Sequence, residues 1–406
     1  MRILFLTPQM PFPPQQGTAL RNWGLLSRLA GNHETWLLSF DERGANQPVP
    51  AEVQRACREV QTVPVPARTI ADRLRTLATS SLPDMAWRLL SPAFQHALGL
   101  WLRDHHFDIV QVEGIELARY LIDAQHAAIP RNAQFVFDDH NCEYILQKRT
   151  YEADLKRGRL HGATYSFVQC QRLRGFERAA IHAADATLAV SPQDAALLRQ
   201  LAPNRPVEVI YNGIDVASYS AFAAPAQHGA STIIFTGKMD FRPNIEAMLW
   251  FTREVWPAVK QAIPAAQLRI VGQKPSSRLD VLRNDPDITI TGRVDDVRPH
   301  IAASDVYIAP LLAGGGTRFK LLEAMAMRKA IVTTALGCEG FDVQSGREMM
   351  IADTGNDFAG AVIELLRSET RRRQLGERAF TFVSATYDWK AIVPNLEQVY
   401  RRLKKK

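Results

Sequence analysis

The chain reads as short β-branched runs separated by longer stretches of helical period, and this alternation runs through once and then starts again. RILFLT (2–7), HETWLLSF (33–40), VQTVPV (60–65), FDIVQVE (107–113), QFVFDD (134–139), ATLAVS (186–191) and VEVIYN (207–212) form a first set of strands, with helical patterns such as Leu20 to Leu29 and Pro92 to Leu102 between them. After Asn212 the pattern resumes with TIIFTG (232–237), QLRIVG (267–272), ITITG (288–292), VYIAPL (306–311), AIVTT (330–334) and MMIAD (349–353). Strands alternating with helices are the mark of parallel βαβ units. The expected fold class is therefore α/β, with two Rossmann-like, doubly wound parallel-sheet domains. Open sheets of this kind bind ligands at the carboxyl ends of their strands, so a cleft between the two sheets is the expected site.

Length supports two domains, because 406 residues exceed what one hydrophobic core usually sustains. The cluster PNRP at 203–206 is the strongest breaker between the two sets of strands, which sets the expected domains at 1–206 and 207–387. In the closing segment, Ile392, Leu396, Val399 and Leu403 fall on one helical face, predicting a helix over 388–406 that must pack on a partner. A content of 46% hydrophobic and 22% charged residues excludes a disordered chain. Cys57, Cys142, Cys170 and Cys338 have neither disulfide-framework nor zinc spacing, so a reduced cytoplasmic location is expected. MRILFLTP is too short for a secretory signal, and no run of about 18 apolar residues predicts a transmembrane helix. The net charge of +7 is modest for this length and argues against a nucleic-acid partner.

Chemistry concentrates at the strand ends. GGGTRFKLLEAMA, Gly314 to Ala326, places Gly314, Gly315, Gly316 and Thr317 between a strand and a helix. A bare backbone at a helix N-terminus admits a phosphate, and Arg318 and Lys320 add cations in a turn where the helix dipole disfavours them. One turn further, Glu323 can accept hydrogen bonds from a diol such as ribose. TGKMDFRPN follows another strand with Gly237, Lys238 and Arg242, and TGRVDD follows a third with Gly292 and Arg293. In the first half, Gly17 and Thr18 start an amphipathic helix whose Arg21 is expected to face the cleft. FDDHNCEY sets Asp138, Asp139, His140, Asn141 and Glu143 at the end of a buried strand, where a histidine can hydrogen-bond a substrate hydroxyl. No Cys or His cluster and no further carboxylate accompany these aspartates at useful spacing, so no tightly bound metal and no cofactor are expected. Neither G-x-x-x-x-G-K-[ST] nor G-x-G-x-x-G is present. Each segment taken alone also admits a bland reading as a tight turn or a charged loop.

Taken together, MRILFLTP…GTALRNWGLLSRLA, VSP at 190–192, YNGID at 211–215, GKMDFRPN, RIVGQKP, ITGRVDDV, SDVYIAP and GGGTRFKLLEAMAMRKAIVTTALGCEGF resemble, in order, a GT-B glycosyltransferase of family 4. The overall pattern is similar to bacterial sugar transferases of exopolysaccharide clusters, among them those associated with PEP-CTERM systems. The resemblance implies a retaining transfer from a nucleotide-diphosphate sugar to a glycan or lipid-linked acceptor. It implies that Glu323 holds the nucleotide ribose, that Lys238 lies near the diphosphate, and that the backbone from Gly315 to Thr317 approaches the donor sugar and phosphates. It also implies that Arg293 and Val294 flank the base, that Gly17 lines the phosphate-facing loop, and that His140 stands near the reacting sugar.

Two departures stand out. The family often carries a glutamate eight positions before Glu323, where this chain has Gly315, and its second cationic lysine is missing near Pro243, leaving Arg242 or Arg318 as substitutes. A sugar-nucleotide epimerase of the same fold and a non-catalytic nucleotide or glycan binder are the alternatives. Arg21 and Asp139 are acceptor-side candidates. The stretch 67–103, with Arg68, Arg73, Arg75, Arg88, Arg103, Trp87 and Trp101, is either an amphipathic helix packed on its own sheet or a contact with the inner face of the cytoplasmic membrane.

Overall fold

A computed structural model of the chain describes residues 1–14, 17–44, 47–126, 133–156, 158–222, 231–313 and 318–405. It contains two compact units, Met1–Asn212 with Ile392–Lys406, and Gly213–Ala391. The first is built on β1 (Arg2–Thr7), β2 (Glu34–Asp41), β3 (Glu59–Pro64), β4 (Ile109–Glu113), β5 (Gln134–Asp139), β6 (Ala186–Ala189) and β7 (Val207–Val209), in the order β3-β2-β1-β4-β5-β6-β7. Every neighbouring pair is parallel. β1 and β5 are buried along nearly their whole length because helices cover both faces of a parallel sheet.

The second unit holds β8 (Thr232–Thr236), β9 (Gln267–Val271), β10 (Ile288–Ile290), β11 (Val306–Ala309), β12 (Ala330–Thr333) and β13 (Met350–Ile351), again all parallel, in the order β10-β9-β8-β11-β12-β13. Each unit is therefore a Rossmann-like, doubly wound sheet with its own core. The break between units falls after Asn212, six residues beyond PNRP, because β7 is a strand of the first sheet, pairing with β6 from Thr187↔Val207 to Ala189↔Val209. Two prolines mark a loop there, not a domain boundary.

The closing helix Trp389–Lys404 returns to the first unit from Ile392 onward. It buries Ile392, Leu396, Val399, Tyr400 and Leu403. Arg402 meets Glu208 at 2.7 Å and Lys404 meets Asp108 at 2.9 Å. These ion pairs are exposed, so the buried face, not the charges, supplies most of the attachment.

The stretch 67–103 divides into two kinds of helix. Pro92–Asp104 packs Phe94, Ala97, Leu98, Trp101 and Leu102 into the core of its own sheet. Ile70–Thr79 buries none of its residues, with Ile70 77% and Leu74 61% exposed. Its start is fixed locally by a capping box, in which Thr69 Oγ1 accepts from the Asp72 amide at 3.1 Å and Asp72 Oδ2 accepts from the Thr69 amide at 2.9 Å. Among the described residues, no helix is long and apolar enough to cross a membrane.

Candidate functional site

In the first sheet the strand order reverses between β1 and β4, and that switch point is where an open α/β sheet leaves a crevice. Glu113 is the last residue of β4, and His140 follows β5. The imidazole Nε2 lies 2.8 Å from Glu113 Oε2. Gly114, between them, has φ +84°, and a Cβ there would come within 3.2 Å of Glu116 Oε2 and 3.7 Å of His140 Nδ1. Only glycine leaves both side chains in place.

Glu113 is completely buried and tied from behind. Gln111 Nε2 donates to its Oε1 at 2.5 Å, and the Tyr400 hydroxyl of the closing helix donates in turn to Gln111 Oε1. Burial opposes a charged imidazole, but the Glu113 hydrogen bond and the negative charges of Asp138 and Glu113 outweigh it, so His140 is shifted upward. Glu113 is also raised, by burial and by the charge of Asp138. Both directions mean that the pair keeps its proton to a higher pH than either group alone.

Arg21 does not face a crevice. It is 1% exposed, forks onto Asp138 at 2.9 and 3.0 Å, and donates to the carbonyls of Ile210 and Tyr211 and to Asn212 Oδ1. A bidentate, fully partnered guanidinium ties the first helix to the far edge of the sheet and leaves nothing for an acceptor. Asp139 is also withdrawn, at 1% exposure. Burial and the carboxylates of Glu177 and Glu143 hold its acid well above the usual range. Glu177 accepts the amides of Glu143 at 2.6 Å and Tyr144 at 3.0 Å, capping the helix Glu143–Lys156, and Asp139 acts as its protonated neighbour. Arg21 and Asp139, the acceptor-side candidates, thus both direct their side chains into the interior.

The ligand atoms of Glu113, Asp138 and His140 all lie within 4.8 Å of one another, so a second carboxylate does accompany the aspartate after all. Glu113 comes from another strand, out of reach of any spacing rule. Arg21 already neutralises Asp138 through both oxygens, which makes the trio a poor seat for a further cation.

In the second sheet the order reverses between β8 and β11. Gly237 follows β8 and Gly272 follows β9, and a Cβ on Gly272 would come within 1.8 Å of the Gly237 carbonyl oxygen. The helix after β11, Phe319–Ala326, brings Lys320 and Glu323 to this end. Lys320 Nζ donates to Asn244 Oδ1 at 2.9 Å and stands 4.0 Å from the ring centre of Phe235. Asn244 Nδ2 donates to the Lys238 carbonyl at 2.8 Å. Tyr219 donates its hydroxyl to Glu323 Oε1 at 3.0 Å, and Arg298, clamped on Asp296, lies 5.8 Å from the Tyr219 ring.

Burial, with Arg318 nearby, lowers Lys320 to about 7. Burial raises Glu323 to about 7 against the opposing pull of Tyr219 and Lys320. A cation and a carboxylate one turn apart, both easily switched, thus occupy the switch point of this sheet.

The remaining sequence-derived residues fall as follows. Gly17 is the exposed first residue of the helix Gly17–Leu29, and Thr18 is half-buried beside it. The side chain of Lys238 is 46% exposed, 3.9 Å from Asp240, and that of Arg242 is 41% exposed, 3.8 Å from Glu246. Arg293 is exposed and Val294 half-buried after β10, while Arg318 is buried. Gly314, Gly315, Gly316 and Thr317 lie outside the described residues. The sequence reading passed over Glu113, Tyr219 and Asn244, and read Lys320 as a cation calling for an anion without naming it a site residue. Glu113 alone carried a local signal, a carboxylate closing an apolar run just before a glycine.

Comparison with known proteins gives the family. Residues 16–218, half of the chain, match Glycosyltransferase Family 4, and residues 230–368 match Glycosyl transferases group 1. A phosphatidyl-myo-inositol mannosyltransferase of Mycolicibacterium smegmatis is 30% identical over 204 residues, covering 47% of this chain and 50% of the relative. The chain spans about half the length of the relatives it matches. Sucrose-phosphate synthase from Thermosynechococcus elongatus superposes with a TM-score of 0.73 at 19% identity over 99% of both chains. Anabaena HepE, solved in complex with UDP-glucose, does so with 0.64 at 13% identity, over 99% of this chain and 100% of its own. At such identity these two show the fold alone. Two Rossmann-like sheets with a family match on each make the chain a member of glycosyltransferase family 4, of GT-B fold.

Proposed function

We propose that the protein is a retaining, metal-independent glycosyltransferase that moves a sugar from a nucleotide-diphosphate sugar to a glycan or lipid-linked acceptor in cell-surface or exopolysaccharide synthesis. The observation that carries this reading is the cluster of Lys320 and Glu323 beside Gly237 at the switch point of the second sheet. Glu323 accepts the ribose hydroxyls. Lys238, Arg242 and Arg318 supply positive charge to the diphosphate, with Gly237 and the backbone from Gly314 to Thr317 at close approach. Arg293 and Val294 flank the base, and Gly17 and Thr18 are further donor-binding residues. Fixed cations and helix N–H groups stabilise the departing diphosphate without a metal, and no cofactor takes part. His140, held by Glu113, hydrogen-bonds the reacting sugar. The acceptor attacks from the face that the diphosphate leaves, so no enzymatic nucleophile is required.

The exposed helix Ile70–Thr79 favours a membrane-apposed acceptor. Ile70 and Leu74 are outward apolar groups on an element that also carries Arg73 and Arg75, the composition of an interfacial helix on an anionic surface. In this reading the protein works against the cytoplasmic face of the inner membrane.

A thermal-shift screen against UDP-, GDP-, TDP- and ADP-sugars, repeated with Glu323→Ala, tests the donor site. One nucleotide is expected to raise the melting temperature of the wild type and to leave the variant unmoved. A wild type indifferent to all four would overturn the reading.

A further inference from the structure

Lys320 is placed against ordinary preference. It sits in the first turn of its helix, where the backbone dipole is already positive, two residues from Arg318. Its described partners, an amide oxygen and an aromatic face, are both neutral. A half-buried ammonium needs a counter-charge, and the Glu323 carboxylate one turn on offsets only part of the cost.

The surroundings are nevertheless arranged to keep it there. Asn244 spends its Nδ2 on the Lys238 carbonyl, which turns its oxygen toward the lysine. Phe235 is completely buried and offers its ring face. Gly237 has no side chain, and a Cβ there would lie 2.9 Å from the ammonium. One of three N–H donors is engaged by Asn244. Three elements therefore hold a cation at the end of β8, with two of its donors unengaged among the described residues.

We infer that Lys320 is the second diphosphate-binding cation of this protein, supplied from the helix after β11 in place of the lysine missing near Pro243. The inference rests on the reading of the second unit as a donor site. Its competitor, Arg242, is exposed and drawn toward Glu246, so it is free to screen the ligand but poorly fixed to orient it. The lowered proton affinity of Lys320 fits the assignment, since a half-buried ammonium without its anion titrates early and a bound diphosphate restores its charge.

The test compares wild type, Lys320→Met and Arg242→Ala, titrated by calorimetry with UDP, GDP, ADP and dTDP, and by ligand-observed NMR with uridine, guanosine, adenosine and thymidine. Loss of a charge-assisted phosphate contact predicts a fall of roughly 10- to 100-fold in nucleoside-diphosphate affinity for Lys320→Met, with nucleoside affinity unchanged. Arg242→Ala, which removes an exposed cation also given to the diphosphate, is expected to lower diphosphate affinity by less than Lys320→Met does. The ligand-free Lys320→Met protein is expected to melt higher by about 2–4 °C, because a half-buried charge that Glu323 only partly offsets has been removed. Equal diphosphate affinity in Lys320→Met and wild type would overturn the inference while leaving the donor site standing. A proportional loss of nucleoside and nucleoside diphosphate would also overturn it, as the mark of a merely structural lysine. A wild type that binds none of the four diphosphates would overturn the donor reading and this inference with it.

Discussion

Nε2 of His140 and Oε2 of Glu113 stand 2.8 Å apart at the ends of two adjacent parallel strands, and the carboxylate is reached from the other side by Gln111 and, through it, by Tyr400 of the closing helix. The histidine at the crevice is thus oriented by a chain of buried polar groups that begins about 260 residues away in sequence, at the opposite end of the protein. A helix that returns to the first unit does more than cover apolar surface. It sets the hydrogen-bonding of the group nearest the proposed chemistry.

Replacing Glu113 by glutamine removes both the anionic acceptor and the charge that lift His140. The expected result is a His140 pKa lower than in wild type, read from the imidazole proton shifts in an NMR titration. Tyr400→Phe should move it the same way by a smaller amount, since it loosens Glu113 only through Gln111. An unchanged His140 in Glu113→Gln would mean that the pair is not coupled.

The carboxyl cluster behind β5 predicts an unusual pH dependence of stability. Burial raises Asp139 well above its ordinary range, Glu143 to about 7 and Glu177 to about 8. The native state therefore holds protons that the unfolded chain releases near pH 4. Its stabilising contribution is complete below the unfolded values and is lost as pH rises through the folded ones. Urea unfolding should show the wild type less stable at pH 9 than at pH 5. Asp139→Asn, which keeps a donor for Glu177 without a proton to lose, should flatten that slope and stabilise the protein at pH 9 by about 1–3 kcal/mol. A steeper slope in the variant would contradict the shared-proton arrangement.

The strands and the alternation of the two sheets are legible in the sequence because apolar β-branched runs are local signals. The strand-end glycines and Glu323 are legible for the same reason. What the sequence conceals is pairing across the sheet. Arg21 reads as a ligand residue from its position on an amphipathic helix, yet its partner Asp138 lies 117 residues on and draws it inside. Asp139 and His140 are neighbours in sequence, but Asp139 closes the strand where both faces are covered, and His140 stands just beyond its end, where the cover stops. The break set at PNRP falls short of Asn212 because a proline cluster marks any loop, and this one lies within the first sheet, before its last strand β7.

The exposed helix Ile70–Thr79 yields a prediction that is independent of turnover. Ile70→Asp with Leu74→Asp should leave the melting temperature within about 1 °C of wild type, because neither side chain is buried. The same pair should reduce sedimentation with vesicles containing anionic lipid by roughly 10-fold or more, as two apolar anchors are lost and two negative charges gained. Wild type that fails to sediment with anionic vesicles would remove the membrane contact from the proposal.

Donor affinity should itself be bell-shaped in pH. A nucleotide-diphosphate sugar has no group of its own titrating near neutrality on its phosphates, so the profile reports the protein. Glu323 is raised to about 7 and must be ionised to accept the ribose hydroxyls, so affinity falls as pH drops below that value. Lys320 is lowered to about 7 and must be protonated to meet the diphosphate, so affinity also falls as pH rises above it. The maximum therefore lies near pH 7, with a loss approaching 10-fold per pH unit on each side until the bound-state values are reached. Calorimetry from pH 5.5 to 8.5 should show the alkaline limb vanish in Lys320→Met and the acidic limb vanish in Glu323→Gln, each at lower peak affinity. A profile flat across that range in wild type would show that neither group changes its proton on binding, and the roles given to both would have to be withdrawn.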